Sequence, residues 1–227
     1  QKNTEASIQG KLEQILYRLS GRETAVHGAG RTDAGVHALG QTANFRLDTA
    51  LSEAELLDYF NRYLPDDIAV LSLKPASERF HSRLSAVGKV YRYRIYTGNA
   101  KPVFDRKYMW QFPEELDAER MRQAARLLTG WHDFRSFCGN RRMKKTTVRR
   151  LDSIEISSLD GGRELALTFE GNGFLQNMVR ILTGTLTECG TGMRNPEEMP
   201  QILAAEDRSR AGIMAPALGL TLVEVKY

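Results

Sequence analysis

The residues best suited to chemistry lie in one glycine-rich run, Gly-Ala-Gly-Arg-Thr-Asp-Ala-Gly-Val-His at residues 28–37. Glycines on both sides of Asp33 give the backbone unusual conformational freedom around one carboxylate. Arg31 lies two residues before Asp33, so in an extended loop the two side chains point to the same side. A neighbouring cation keeps a carboxylate ionised, as a nucleophile requires. Asp33 is therefore a candidate catalytic carboxylate, and the alternative is a solvated Asp in a structural turn.

The same run argues against a nucleotide cofactor. Its pattern is G-x-G-x-x-D rather than G-x-G-x-x-G, and no Gly-Lys-Ser/Thr follows it. Asp33 would also repel a pyrophosphate group placed on the backbone amides. A nucleotide-dependent hydrolase or kinase is therefore disfavoured, and a lone carboxylate makes paired-carboxylate glycoside hydrolysis unattractive.

A second set of residues alternates aromatic and basic side chains, Gly-Lys-Val-Tyr-Arg-Tyr-Arg-Ile-Tyr at residues 88–96. On a strand, Tyr91 and Tyr93 share one face, and Arg92 and Arg94 share the other. Such interleaving suits nucleic acid, because bases stack on rings and phosphates pair with cations. The equal alternative is a half-buried strand with packed tyrosines and solvated arginines.

The third feature is a basic run, Arg-Arg-Met-Lys-Lys-Thr-Thr-Val-Arg-Arg at residues 141–150, with six cations and no acidic residue. Runs of this kind are usually only solvated. Here the uninterrupted charge favours contact with a phosphate backbone through Arg141, Arg142, Lys144 and Lys145.

The fourth feature is Arg180, in the otherwise largely apolar segment Phe-Leu-Gln-Asn-Met-Val-Arg at residues 174–180. A largely buried Arg normally needs an anionic partner. Asp33 is the first candidate for that partner, and an acid elsewhere, such as Glu188, is the alternative.

Composition limits the class of protein. The 227 residues are 41% hydrophobic and 26% charged, as is ordinary for one large or two small globular domains. The 32 Lys and Arg outnumber the 28 Asp and Glu, giving a net charge of +4, so RNA or DNA is a natural partner. Two cysteines without a Cys-x-x-Cys pair and four scattered histidines argue against a disulfide scaffold and a metal site. No apolar run approaches the ~20 residues of a membrane span, and no signal-peptide pattern is visible, so we expect a cytoplasmic protein.

Periodic patterns and turn signals predict the elements that position these residues. Helices are predicted from Ile8, after the capping box at residues 52–55, after Asp117, over residues 174–186 and from Pro196. Strands are predicted near residues 24–27, 41–46, 68–73, 85–97, 108–111, 148–157, 165–170 and 220–225. The mixture predicts an α+β protein with two domains, a first half at residues 1–98 that carries the Asp33 loop and a second half at residues 99–227.

The sequence as a whole resembles a known family. Gly-Arg-Thr-Asp-Ala-Gly-Val-His-Ala at residues 30–38 is similar to the signature of the tRNA pseudouridine synthase A family. Supporting similarities occur at residues 79–83, 89–93, 130–134, 174–180 and 215–220, so the resemblance covers nearly the whole chain.

The resemblance implies isomerisation of uridine to pseudouridine in the anticodon stem-loop of tRNA, without a cofactor. It implies two related α/β halves that share a central, mostly antiparallel sheet, with the active-site cleft between them, and a homodimer. Carried over by motif, Asp33 is the catalytic residue and Tyr91 lies against the target base. Arg31 is the loop neighbour of Asp33, and Arg180 matches an Arg near the catalytic carboxylate.

The sequence departs from the family pattern in a few places. Members usually begin with a strand and a Tyr-Asp-Gly…Gly-Trp-Gln segment, and the sequence given starts after it, so we expect the first half to lack its first strand. Leu84 stands where an aromatic residue is expected, and Gln176-Asn177 replaces a Tyr- or His-containing pair. A catalytically impaired RNA-binding protein of the same fold is therefore the alternative function.

Overall fold

The computed structural model describes residues 6–227, which form five helices and nine strands. The helices are α1 (Ile8–Ser20), α2 (Glu53–Tyr63), α3 (Ala118–Arg126), α4 (Met178–Gly190) and α5 (Met199–Ala205). The strands are β1 (His27–Gly28), β2 (His37–Ala38), β3 (Ala43–Asn44), β4 (Gly88–Tyr96), β5 (Trp110–Gln111), β6 (Gly130–Asp133), β7 (Val148–Leu159), β8 (Glu164–Gly171) and β9 (Leu220–Lys226). The α+β class predicted from the sequence is confirmed.

Contacts between residues group the described chain into two compact units. The first unit contains residues 6–31 and 42–86, and the second contains residues 32–41 and 87–227. Asp33 and all of β4 therefore belong to the second unit. The predicted boundary between domains at residues 1–98 and 99–227 does not coincide with the boundaries of these units. The predicted domains stay a prediction, and so does an active-site cleft between two related halves.

The first unit is built on two amphipathic helices and one short antiparallel pair of strands, β1 with β3. Its core contains Leu16 and Phe60, which are almost completely buried. The predicted capping box at the start of α2 is confirmed, because the Ser52 hydroxyl accepts from the Glu55 N–H and the Glu55 carboxylate accepts from the Ser52 N–H.

The strand predicted at residues 68–73 is wrong, since this segment has no regular secondary structure. The side chain of Asn61 explains how the backbone is satisfied without a neighbouring strand. Asn61 donates to the Val70 carbonyl and accepts from the Val70 N–H, both at 2.8 Å. A side-chain amide thus replaces the ladder bonds that the alternating pattern led us to expect.

The second unit contains a seven-stranded mixed sheet with the order β2-β9-β4-β8-β7-β6, in which β5 also pairs with β4. The pairs β2–β9 and β4–β5 are parallel and the remaining pairs are antiparallel. The predicted hairpin at residues 148–170 is confirmed, with its turn at the Asp160–Gly162 3₁₀ segment. Strand β4 is central, so Tyr91 lies opposite Phe169 on β8 and Leu222 on β9.

The core of the second unit lies between this sheet and the helices packed on it. Helix α3 begins at the predicted N-cap Asp117, whose carboxylate accepts from the N–H groups of Glu119 and Arg120. Helix α4 supplies fully buried Met178, Ile181 and Leu182. It begins at Met178, four residues later than predicted, because Asn177 has a left-handed backbone conformation with φ 58°.

Two close backbone approaches attach residues 32–41 to the sheet. His37 and Ala38 pair in parallel with Thr221 and Leu222 of β9. A Cβ added to Gly40 would lie 2.3 Å from the Val223 carbonyl oxygen, so only glycine allows this approach. The Asp33 loop is therefore held by one end against the edge of a rigid sheet.

No helix in residues 6–227 is long and apolar enough to cross a membrane.

Candidate active site

Asp33 lies at the first position of a tight turn. Its carbonyl accepts a hydrogen bond from the Val36 N–H at 3.0 Å, and Gly35 has φ 81°. A positive φ at the third residue of such a turn requires glycine in most proteins. The Asp33 side chain is 47% exposed. The turn thus presents a carboxylate to solvent from a backbone that the adjoining sheet edge holds.

Arg180, in the first turn of α4, lies beside this carboxylate. Its Nη1 is 3.8 Å from Asp33 Oδ2, and its Nε donates to the Ala215 carbonyl at 2.7 Å. Glu188, the alternative partner, instead accepts from Arg194 at 2.9 Å and from the Ile213 N–H at 2.9 Å. The guanidinium is therefore fixed by backbone and directed at Asp33.

Tyr91 completes the cluster from the central strand β4. Its ring meets the ring of Phe174 edge to face, with centroids 5.1 Å apart at 79°. Burial, with a smaller contribution from the charge of Asp33, raises the pKa of Tyr91 to about 12. The side chain is therefore a neutral phenol at physiological pH, within electrostatic range of the Asp33 carboxylate.

The rest of β4 has largely structural contacts. Arg94 binds both carboxylate oxygens of Glu164, at 2.6 and 3.0 Å, and lies 3.5 Å from Asp105. Tyr93 is fully buried and donates its hydroxyl to the Pro216 carbonyl at 2.7 Å. The interpretation of a half-buried strand with packed tyrosines and solvated arginines therefore fits buried Tyr93 and exposed Arg92, whereas Arg94 is ion-paired.

The remaining predicted site residues are exposed on loops. Arg31 is exposed and belongs to the first unit, so its shared orientation with Asp33 stays a prediction. The four cations predicted to contact RNA are exposed in the loop before β7: Arg141, Arg142, Lys144 and Lys145. Phe134 N–H donates to the Thr147 carbonyl at 3.1 Å and closes this loop.

Sequence reasoning missed the contacts that two residues make with the cluster, namely Phe174 and Asn177. Phe174 and Asn177 lie in the same segment as Arg180, so the segment was identified but the contacts of these two side chains were not. Asn177 accepts a hydrogen bond from Arg180 Nη1 at 3.2 Å. Nothing in the local pattern indicates that Tyr93 bonds to a carbonyl 123 positions away.

The chemistry of this cluster is that of a carboxylate and a planar platform. Asp33 is accessible for attack on an electrophilic carbon, and Arg180 stabilises its charge. Tyr91 offers a ring beside it against which a flat group could stack. Within residues 6–227, no group of three His, Cys, Asp or Glu residues could hold a metal ion.

Comparison with known proteins identifies the family. A family model described as tRNA pseudouridine synthase matches residues 124–227. The chain is 42% identical over 225 residues to tRNA pseudouridine synthase A of Bacillus sp. (strain KSM-64), covering 99% of this chain and 91% of that protein. It is 40% identical over 225 residues to tRNA pseudouridine synthase A 2 of Bacillus anthracis, with the same coverage. It is 43% identical over 221 residues to tRNA pseudouridine synthase A of Syntrophotalea carbinolica, covering 97% of this chain and 87% of that protein. With such identity over nearly its whole length, and with Asp33, Tyr91 and Arg180 gathered in one unit, the chain belongs to the tRNA pseudouridine synthase A family.

Proposed function

We propose that this protein isomerises uridine to pseudouridine in tRNA and that Asp33 is its catalytic carboxylate. The observation that carries the assignment is the Asp33–Arg180–Tyr91 cluster, with Asp33 Oδ2 3.8 Å from Arg180 Nη1, in a member of this family. The half-exposed carboxylate has room for a substrate on its solvent side. The largely buried Arg180 cation beside it stabilises its negative charge.

The reaction balances without any added group. The C1′–N1 bond of uridine breaks, the uracil ring turns, and a C1′–C5 bond forms. The hydrogen leaves C5, and N1 ends with a hydrogen, so no electron pair or atom is gained or lost. The chemistry therefore needs a nucleophile or a charge stabiliser at the sugar or base, and a group that moves one proton.

Asp33 and Tyr91 fit these two requirements differently. Asp33 either attacks C1′ as a nucleophile or attacks the base while the glycosidic bond is cleaved. Tyr91 stacks against the uracil ring. Its pKa of about 12 keeps the Tyr91 hydroxyl protonated. The hydroxyl oxygen can therefore accept the C5 proton only if it releases its own hydrogen to another group at the same time.

The two arginines of the motifs have supporting roles in this proposal. Arg180 orients and stabilises the Asp33 carboxylate. Arg31 occupies the place of the displaced base or contacts a phosphate, because an exposed guanidinium on a glycine-rich loop can do either.

The substrate is the anticodon stem-loop of tRNA. A stacked uridine must be turned out of the helix before an enzyme can reach its C1′ atom. The exposed cations at positions 141, 142, 144 and 145 would hold the phosphate backbone meanwhile. Pseudouridine formation in an isolated anticodon stem-loop, compared with the full transcript, tests this assignment of the substrate.

We further propose a cytoplasmic homodimer. The assembly is supported by the family resemblance, and the compartment by two free, buried cysteines. Light scattering during size-exclusion chromatography tests the dimer, which would be excluded by the mass of a single chain at micromolar concentration.

The proposed catalysis is tested by mapping pseudouridine in an unmodified tRNA transcript. Wild type should form it, while Asp33→Ala and the isosteric Asp33→Asn should not, and both variants should keep tRNA affinity. Asp48→Asn removes an exposed carboxylate of the first unit and is the matched control. Turnover by Asp33→Asn would refute the role of Asp33, and no product from wild type would refute the function.

A further inference from the structure

Asn177 has an unusual backbone for the residue that precedes a helix. It has φ 58° and ψ 7°, and it is one of three non-glycine residues with positive φ in residues 6–227, with Asp160 and Glu206. An Asn in this position ordinarily caps the helix with its side chain. The Asn177 side chain makes no capping bond to α4. Its amide is therefore used for something else.

The Asn177 amide oxygen accepts a hydrogen bond from Arg180 Nη1 at 3.2 Å. The same nitrogen is the atom that lies 3.8 Å from Asp33 Oδ2. Arg180 Nε is held separately by the Ala215 carbonyl at 2.7 Å. Two fixed acceptors thus define the plane and direction of the guanidinium, and Nη1 lies between Asn177 and Asp33.

The position of Asn177 is itself constrained from two sides. Its carbonyl accepts from the Ile181 N–H at 3.0 Å, which starts the helix. On the other side, the Gly139 N–H donates to the Gln176 carbonyl at 2.8 Å. A Cβ at residue 139 would lie 2.7 Å from Asn177 Nδ2, so this glycine allows the two segments to meet.

Few residue types could serve at this position. The left-handed conformation is readily adopted by Gly, Asn and Asp. Gly has no side-chain oxygen for Arg180 Nη1. Asp would offer Nη1 a second carboxylate, which would compete with Asp33 for the cation. Asn alone among these three combines the backbone conformation with a neutral acceptor.

We infer that Asn177 is a positioning residue, which holds the Arg180 guanidinium in the orientation that serves Asp33 during isomerisation. The inference rests on the proposed function. Asn177 touches neither reacting carbon in this account and acts through Arg180. Its loss should therefore lower the rate of the chemical step and leave tRNA affinity unchanged.

The test uses Asn177→Gly, which keeps the left-handed backbone and removes the oxygen. Single-turnover pseudouridine formation with excess enzyme gives the maximal rate and the enzyme concentration at half that rate. We expect the maximal rate to fall about tenfold, the usual scale for one lost hydrogen bond to a charged group. The half-saturating concentration and the melting temperature should stay close to those of wild type.

A double-mutant cycle separates positioning from a structural effect. Arg180→Lys keeps the positive charge but loses the forked guanidinium that reaches both acceptors. In the Arg180→Lys background, Asn177→Gly should cause no further loss of rate, because the bond is already absent. Asn177→Ala should repeat the loss of rate seen with Asn177→Gly and also lower the melting temperature, since Ala is strained at positive φ.

Several outcomes would overturn the inference. These are an unchanged rate for Asn177→Gly, an equal fractional loss in both backgrounds, or a loss confined to the half-saturating concentration. All three leave wild-type turnover intact, so they refute the role of Asn177 alone. Failure of wild type to form pseudouridine would instead refute the proposed function on which the inference rests.

Discussion

Arg180 and Asp33 form an ion pair with one largely buried and one exposed member: the Arg180 side chain is 13% exposed and that of Asp33 is 47% exposed. At 3.8 Å this pair is too long for a hydrogen bond, so it contributes little to the free energy of unfolding. In the proposed reaction the pair would act electrostatically, because a cation fixed before the substrate arrives needs no reorganisation when charge moves. In that proposal the substrate approaches from the exposed side of Asp33.

Replacement of Arg180 by Ala should therefore lower kcat by roughly a hundredfold or more, the scale observed when a preorganised electrostatic group is removed. Stability should fall by only about 1–2 kcal/mol, since the Ala215 carbonyl loses a donor. Pseudouridine kinetics and urea denaturation measure the two effects. Arg163→Ala, which removes an exposed Arg paired with Asp160, is the control and should change neither. A kcat for Arg180→Ala within a factor of two of wild type would contradict the role of Arg180.

Tyr91 should titrate only in strong alkali. Burial and the Asp33 charge favour the neutral phenol in the folded chain and raise its pKa from about 10 to about 12. The stability contributed by this group is fully present below about pH 10 and is lost as the pH rises to about 12, by up to roughly 3 kcal/mol. Wild type should therefore lose more stability over that interval than Tyr91→Phe, as measured by urea denaturation at stepped pH. Equal losses would show that Tyr91 ionises at its ordinary pKa.

Local chemistry was sufficient to predict several elements from the sequence. The Ser52 and Asp117 caps and the Asp160-Gly-Gly turn each depend on residues within a few positions of one another, and each is confirmed. The fold class followed from their alternation. The predicted strand at residues 68–73 failed because Asn61, from α2, satisfies the Val70 backbone, and no local pattern reports such a bond.

The site depends mostly on long-range placement. Asp33, Tyr91 and Arg180 could each be selected as chemically suitable, but the distance between them is set by β9, β4 and α4 meeting in one unit. Asn177 could not be selected at all, because its use depends on a positive φ and on the direction of Arg180. Residue type and spacing predict candidates, whereas the packing of distant elements decides which candidates meet.

The basic loop should act on tRNA binding and not on chemistry. Replacing Arg141 and Lys144 together by Ala should weaken binding and reduce the slope of log affinity against log salt by roughly one per lost phosphate contact. The rate at saturating tRNA should be unchanged, because these side chains are exposed in a loop that carries none of the three residues Asp33, Tyr91 and Arg180. Replacing exposed Lys74 and Lys101 together by Ala is the matched control for charge. An equal change of slope in both double variants would show that only the net charge matters.

Glu188 should be important for stability through the segment that carries Ala215. Its carboxylate binds Arg194 at 2.9 Å and accepts from the Ile213 N–H at 2.9 Å, and both charged side chains are less than 20% exposed, at 15% and 19%. Glu188→Ala removes one carboxylate partner of the largely buried Arg194 cation and the acceptor of the Ile213 N–H. We therefore expect the free energy of unfolding to fall by about 2–3 kcal/mol. Glu188→Gln keeps an acceptor for Ile213 and should lose less.

Urea denaturation measures these losses, with Glu155→Ala, an exposed carboxylate on β7, as a control expected to stay within about 0.5 kcal/mol of wild type. The same variants also test how the site is held. Ile213 lies two residues before Ala215, whose carbonyl fixes Arg180 Nε. If Ile213 anchors this segment, Glu188→Ala should lower kcat more than Glu188→Gln at a temperature where both are fully folded. Equal kcat values for the two variants would show that the Ala215 carbonyl keeps its place without the Glu188 anchor.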